Sequence, residues 1–223
     1  MPHPGYTFLC IPQSRIWIVN LVPEYQAIIN LAMSFIYLAS ASPRRRELLR
    51  QIGIAYRLLR VEVDEMPRLE ECAHDYVARL ARAKAQTGAQ ILGRRKLAPV
   101  LGADTSVVSD GTILGKPRDR EEGLAMLARL SGCEHRVLSA VALATPTRIA
   151  VKIQESRVRF RELTHAECVA YWETGEPCDK AGGYGIQGRA AMFIAELRGS
   201  YSGVMGLPLF ETAELLREFD LIF

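Results

Sequence analysis

The sequence predicts an α/β fold from three observations. A strand–loop–helix unit lies near residue 35, Asp110-Gly111 gives a two-residue hairpin signal, and two long strand-like runs flank Pro146. Strand-like and helical periods alternate along the chain, the pattern of a sheet covered by helices. With 223 residues, 49% of them hydrophobic and 24% charged, the chain can bury the core of one domain, or of one domain in two lobes.

The run at 35–39 is short, apolar and followed at once by turn residues, which reads as a buried strand. Ser42 can cap a helix that starts with Pro43, where the missing N–H costs nothing. Leu48, Leu49 and Ile52 form its apolar stripe, and Gly53 stops it. Residues 56–63 read as a second strand, ending at Asp64-Glu65. A helix over 73–90 follows, with the stripe Val77, Leu80, Ala81 and, next at helical spacing, Lys84. Arg79 and Arg82 fall elsewhere on the wheel and read as surface charges. Residues 99–109 form a strand in which Asp104-Thr105 interrupts apolar residues on both sides.

Asp110-Gly111 turns that strand back through Thr112-Ile113-Leu114 to Gly115-Lys116-Pro117, returning Lys116 towards the level of Asp104 or Thr105. Asp119 caps the next helix, Glu122 stands at capping-box spacing, and Leu124, Leu127 and Leu130 face inward. Residues 136–143 and 147–160 read as an antiparallel pair. Thr164 caps a short helix over 166–172 that stops before Gly175. A strand over 192–197 and a last helix burying Leu215, Leu216 and Phe219 close the fold.

Bulk properties exclude several function classes. The net charge of +3 comes without a basic stripe interleaved with aromatics, which argues against a nucleic-acid partner. The cysteines (Cys10, Cys72, Cys133, Cys168, Cys178) are odd in number, lack a Cys-x-x-Cys, and have no histidine at zinc-finger spacing. They read as reduced thiols of a cytoplasmic protein. No apolar run approaches a membrane span. Residues 1–32 carry apolar patches broken by Asn20, Pro23 and Glu24 and do not form a signal peptide. The organised pattern begins at Met33. We therefore read residues 1–32 as an N-terminal extension, dispensable or not native, and 33–223 as a single domain.

The residues that propensity does not explain form one set of cations and one of acids. Arg44, Arg45 and Arg46 occupy the first turn of a helix, where they oppose the helix dipole. They form either a solvated basic patch or, with the amides of the Ser40–Ala41–Ser42 loop, an anion site. Lys84 either snorkels to the surface or reaches a buried anion. Asp104, in a buried strand, must pair with a cation such as Lys116 or bind a metal. Glu65 lies at a strand end, and Asp179 beside a run with four glycines within seven positions, a flexible loop or a place where backbone approaches a ligand. In open α/β sheets ligands gather at the carboxyl ends of strands, so this set suggests a polyphosphate bound through a divalent ion. Gly115-Lys116-Pro117 is not a P-loop, and there is neither a Gly-x-Ser-x-Gly elbow nor a His-Glu-x-x-His. His3, His74, His135 and His165 show no partner pattern and read as structural or surface residues.

Five segments, in order, resemble the Maf family. They are Leu38-Ala39-Ser40-Ala41-Ser42-Pro43-Arg44-Arg45, Gly102-Ala103-Asp104-Thr105, Ile113-Leu114-Gly115-Lys116-Pro117, Asp179-Lys180-Ala181-Gly182-Gly183-Tyr184-Gly185-Ile186-Gln187-Gly188, and the pair Gly199-Ser200-Tyr201 with Gly206-Leu207-Pro208-Leu209. The resemblance implies a mixed central sheet flanked by helices, in two lobes around a deep cleft as in inosine triphosphatases, and a homodimer. It implies a nucleoside triphosphate pyrophosphatase using Mg²⁺ or Mn²⁺. The Asp-Lys-Ala-Gly and Tyr-Gly-Ile-Gln-Gly combination is similar to the branch acting on dTTP and UTP, with modified pyrimidine nucleotides as further candidates.

By the same resemblance Asp104 is the proton acceptor, and Ser40, Arg44, Arg45, Lys84 and Lys116 contact the phosphates. Glu65 and Asp104 hold the metal, while Arg44, Thr105 and Gln187 choose the substrate. The family's link to arrest of cell division leaves a nucleotide-sensing protein as one alternative; a pyrophosphatase for 7-methyl-GTP is another. The chain departs from the family pattern at Gly203, where Asn is frequent, at Ser139-Ala140, where Thr-Gly is usual, and at Ser106, where an apolar residue is usual.

Overall fold

The computed structural model describes residues 35–93 and 98–221; the proposed extension at 1–32 lies outside them. The chain order is β1 (Ile36–Ala39), α1 (Pro43–Gln51), β2 (Tyr56–Leu58), α2 (Ala73–Leu92), β3 (Val100–Ser109), β4 (Thr112–Leu114), α3 (Arg120–Leu130), β5 (Glu134–Ala144), β6 (Ile149–Phe160), α4 (His165–Trp172), three short 3₁₀ turns, β7 (Ile194–Arg198), α5 (Tyr201–Met205) and α6 (Leu209–Glu218). The strands form one mixed sheet in the order β2-β1-β3-β5-β6-β7, with β4 also on β3. β1 runs parallel to β2 and β3, and the remaining pairs are antiparallel. Helices flank both faces. No described helix is long and apolar enough to cross a membrane.

The alternation of strand side chains sorts the core by face. On one face Val108, Leu138, Ala140, Ala142 and Ala144 pack against Val77, Ala81 and Ala85 of α2. On the other, Leu101, Ala103, Val141 and Leu143 pack against Leu48 and Leu49 of α1 and Leu215 and Leu216 of α6. Further along that face, Val107 and Val137 join Leu127 and Leu130 of α3 and Tyr171 of α4. Between these two apolar clusters, at the same strand positions, stand Thr105 and Ser139.

The expected hairpin forms as read: Asp110 and Gly111 both take positive φ (48° and 76°) and return the chain antiparallel along β3. Three local expectations are corrected. β2 is three residues long, not eight: only Tyr56–Leu58 pairs with β1. Ser42 occupies the N-cap of α1 without a side-chain cap; its own backbone N–H donates to Ser40 Oγ (3.2 Å). Asp119 caps α3 through the Glu122 N–H (2.9 Å), but no capping box closes, because Glu122 accepts from the backbone and guanidinium of Arg118. A full capping box forms instead at Thr164 and Glu167.

Candidate active site

The site begins as a gap in the sheet. One edge of β3 is paired with β5 over residues 100–108. The other edge is divided: β1 covers 100–102 and β4 covers 107–109. Residues 103–106 therefore have no strand neighbour on that edge. The loop after β1 enters the gap from one side and the segment after β4, carrying Lys116, returns from the other. This is the sheet geometry in which ligands are received at strand ends.

On the face towards α2, the missing side chain of Gly102 matters. A Cβ there would stand 2.4 Å from the Ala81 carbonyl oxygen and 2.6 Å from the Ala85 nitrogen. The helix backbone thus lies directly on β3 and sets Lys84 over Asp104. The Lys84 Nζ donates to Asp104 Oδ1 at 2.8 Å and meets Glu65 Oε1 at 2.7 Å. Lys84 and Asp104 are largely shielded (13% and 12% side-chain exposure), whereas Glu65 is half open at 55%. Partial burial pushes the Glu65 carboxyl up, but the Lys84 hydrogen bond, with the charges of Lys84, Lys116 and Arg45, outweighs it and holds Glu65 below its ordinary value. The structure pairs Asp104 with Lys84; Lys116, the cation expected from the hairpin, is not its partner.

Glu65 is held in place through its backbone. Tyr76 Oη donates to the Glu65 carbonyl (2.9 Å), and Arg79 donates to the Met66 carbonyl (3.0 Å) and the Asp64 carbonyl (3.4 Å) while forking onto Glu71. Arg79, read from sequence as a surface charge, is instead an anchor, with 18% of its side chain exposed.

On the opposite face, Arg45 reaches in from the first turn of α1. Its Nε donates to the Gly206 carbonyl (2.7 Å), Nη1 to Ser40 Oγ (3.1 Å) and Nη2 to Thr105 Oγ1 (3.4 Å). Burial lowers its pKa, with the Asp104 charge opposing and the Arg44 charge adding to the shift. A guanidinium held this way stays charged, and an anion would relieve its desolvation. Thr105 Oγ1 lies 2.9 Å from Ser139 Oγ, which donates to the Gly203 carbonyl at 2.6 Å.

Of the expected residues, Ser40, Arg45 and Thr105 form one connected group, and Glu65, Lys84 and Asp104 another. Lys116 is exposed, and its charge is felt at Glu65. Arg44 is felt at Arg45 and at Asp179, whose carboxyl is lowered chiefly by a hydrogen bond from Lys180 (2.6 Å). Gln187 is exposed and donates to Glu47 of α1 at 3.4 Å.

The glycine-rich segment is a packed turn. Gly182 takes φ +70° and lies against Val107, where a Cβ would stand 2.9 Å from that side chain. Glu176 braces the segment, accepting from Tyr171 Oη (2.7 Å) and from the Arg189 N–H (2.9 Å). Sequence reasoning missed Tyr76, Arg79, Glu176 and the role of Ser139. Only Ser139 left a signal, as a lone hydroxyl within an apolar strand.

The family model for Maf-like protein matches residues 35–219, nearly all of the described chain. The chain belongs to the Maf family. Among its Maf relatives, a protein of Alkalilimnicola ehrlichii named dTTP/UTP pyrophosphatase is 57% identical over 202 residues, covering 89% of this chain and 96% of that one. Proteins of the same name from Saccharophagus degradans (52% identical; 83% and 89% covered) and Aliivibrio fischeri (48%; 82% and 97%) align comparably. A solved structure, that of the Staphylococcus aureus Ham1 protein, overlaps 58% of this chain and 72% of its own with a TM-score of 0.36 and 12% identity, too distant to bear on the Maf site.

Proposed function

We propose that this protein is a nucleoside triphosphate pyrophosphatase that hydrolyses dTTP and UTP, and modified pyrimidine nucleotides of the same shape, to the monophosphate and pyrophosphate. The observation that carries the reading is the gap in β3. It gathers two carboxylates on a shared cation, Lys84, with Arg45 and Lys116 close by, in a chain about half identical to proteins named for this reaction. The geometry fits polyphosphate chemistry, which needs charge neutralisation and an oriented water more than a covalent partner.

Among the described residues no group of three or more His, Cys, Asp or Glu could hold a metal. Two carboxylates nevertheless suit Mg²⁺ or Mn²⁺, since Mg²⁺ commonly takes one or two protein carboxylates and completes its shell with substrate phosphates and water. Glu65 and Asp104 would hold it, being already arranged to share one cation. Such an ion supplies charge neutralisation on the phosphate oxygens and a more acidic water. Asp104 accepts the proton of the attacking water as its oxygen bonds to the α-phosphorus and the bond from that phosphorus to the pyrophosphate oxygen breaks. Arg44, Lys84 and Lys116 balance the charge on the departing pyrophosphate, and Ser40 and Arg45 fix the phosphate chain. Gln187, with Arg44 and Thr105, selects the base, an amide being able to match both a donor and an acceptor of uracil or thymine.

The same reading places the enzyme in the cytoplasm as a homodimer without membrane or nucleic-acid partners, with 33–223 as the catalytic unit. A role in nucleotide-pool clean-up and in arrest of cell division goes with it. The test is pyrophosphate release from a panel of canonical and 7-methylated triphosphates, with Mg²⁺ or Mn²⁺ and with chelator. Metal-dependent release, fastest with dTTP and UTP, is expected. Release from purine or methylated substrates alone overturns the substrate assignment, and nucleotide binding without release overturns the reaction.

A further inference from the structure

Two hydroxyls flank Arg45, and their hydrogen-bond accounting is opposite. A hydroxyl has one proton to give and two lone pairs to receive with. The Ser40 oxygen accepts from the Ser42 N–H and from Arg45 Nη1. Both lone pairs are engaged, and the proton has no acceptor among the described residues. Towards the gap Ser40 is therefore a donor.

Thr105 is ordered the other way, and a residue outside the proposed machinery orders it. Ser139 is fully buried (0% exposed) on β5, directly across from Thr105 in the strand register. Its Oγ lies 2.6 Å from the Gly203 carbonyl oxygen. A carbonyl only accepts, so the single Ser139 proton is committed there. The same carbonyl also accepts from the Gly206 N–H (2.9 Å), which fixes it at the end of α5. The 2.9 Å contact between Ser139 and Thr105 then requires Thr105 to be the donor. With its proton spent on Ser139 and one lone pair turned to Arg45 Nη2, Thr105 can offer the gap only its remaining lone pair. Thr105 is also the one position of β3 that is not buried.

We propose that Ser139 is a positioning residue that makes Thr105 an acceptor-only group, and that Thr105 thereby selects a substrate bearing a ring N–H. This rests on the pyrimidine pyrophosphatase reading and sharpens it. An acceptor-only hydroxyl repels phosphate oxygens, so Thr105 belongs to the base and Ser40 to the phosphates. Uracil and thymine carry a donor at ring N3, where cytosine carries an acceptor. Against cytosine the Thr105 oxygen meets a lone pair with a lone pair, and its own proton cannot be turned to help while Ser139 holds it. Losing a matched hydrogen bond and leaving its partner unpaired is an effective way for a site to reject an analogue.

The experiment compares kcat/KM for UTP, CTP and N3-methylated UTP in the full-length wild type, Ser139→Ala, Thr105→Val and the double variant, with thermal melts of each. In the wild type UTP is expected to be preferred over both analogues. Ser139→Ala frees the Thr105 proton and should reduce the UTP-to-CTP preference by about tenfold, the scale of one hydrogen bond. Thr105→Val should reduce it similarly, and the double variant no further than Thr105→Val alone, because Ser139 acts only through Thr105. Ser40→Ala should lower kcat/KM for UTP and CTP alike. A merely structural Ser139 would lower the melting temperature and leave the preference intact; that result overturns the proposal, as does an additive double variant. The wild-type ratio with N3-methylated UTP bears on the same point without any variant: equal use of UTP and its N3-methyl form also overturns it. Failure of the wild type to hydrolyse any pyrimidine triphosphate is a separate result, which overturns the proposed function.

Discussion

At the scale of single residues, the centre of the site is one ammonium held between two carboxylates. Lys84 was legible because it breaks an apolar helical stripe, and Asp104 because a carboxylate interrupts a buried strand; each departure from pattern has a cost that only a partner offsets. Their pairing with each other was not legible, since it depends on the close approach of α2 to Gly102. The Gly206 carbonyl that receives Arg45 could not be read at all, because a backbone oxygen looks the same at every position. Asp104→Asn keeps the shape and a hydrogen bond to Lys84 but removes the proposed proton acceptor. It is expected to cost ~10²–10³ in kcat, the usual scale for one preorganised polar group, with an unchanged melting temperature. Near wild-type pyrophosphate release from that variant would remove Asp104 from the mechanism.

At the scale of elements, the largest difference between sequence and structure lies between β2 and α2. Residues 56–63 read as one strand, yet only Tyr56–Leu58 pairs, in parallel with β1. Beyond it, the carbonyls of Asp64, Glu65 and Met66 bond to Tyr76 and Arg79 of α2 and not to a strand. A sequence shows β propensity but not which side chains compete for the backbone. Arg79→Ala should release this segment, loosen Glu65 and raise the metal concentration needed for half-maximal activity by roughly 10–100-fold, the usual cost of removing an outer support of a ligand. Limited proteolysis should then cut within residues 59–72 first. Unchanged metal dependence together with unchanged cleavage would show that Glu65 does not rely on this anchor. At Gly102 the added methyl of Gly102→Ala meets helix backbone, not a movable side chain. Overpacking of that kind costs about 1–3 kcal/mol. It should lower both the unfolding midpoint in urea and kcat, because Lys84 is carried away with α2; a variant of normal stability and activity would mean that α2 can shift without cost.

At the scale of the whole molecule, the α/β class, the hairpin and the antiparallel pair were legible from local pattern, whereas the sheet order was not. Nothing local says that β1 lies between β2 and β3, and that placement is what leaves the gap at 103–106. Histidine roles were equally non-local: His135, read as structural or surface, is fully interior. It is 2% exposed, 2.8 Å from Tyr184 Oη through Nε2, and edge-on to Phe160 and Tyr184. Its Nδ1 has no partner among the described residues. Burial pulls its imidazole from 6.5 to about 4. The unfolded chain therefore binds a proton near pH 6.5 that the folded chain refuses until about pH 4. Between those values the unfolded state holds more protons, so stability is complete above 6.5 and falls as the pH is lowered through that window. One pKa unit corresponds to about 1.4 kcal/mol, which makes the loss between pH 7 and pH 5 on the order of 2 kcal/mol. The carboxyls held below their ordinary values, Glu65, Glu71, Glu122, Glu167, Asp179 and Glu196, lose their contribution from the ordinary carboxylate pKa downwards and leave most of this window to the histidine. Urea unfolding at pH 7 and pH 5 should show the drop in the wild type and a much smaller one in His135→Gln, which can still bond to Tyr184 but does not titrate. Equal drops in the two proteins would mean that His135 is not the group that couples the core to acid.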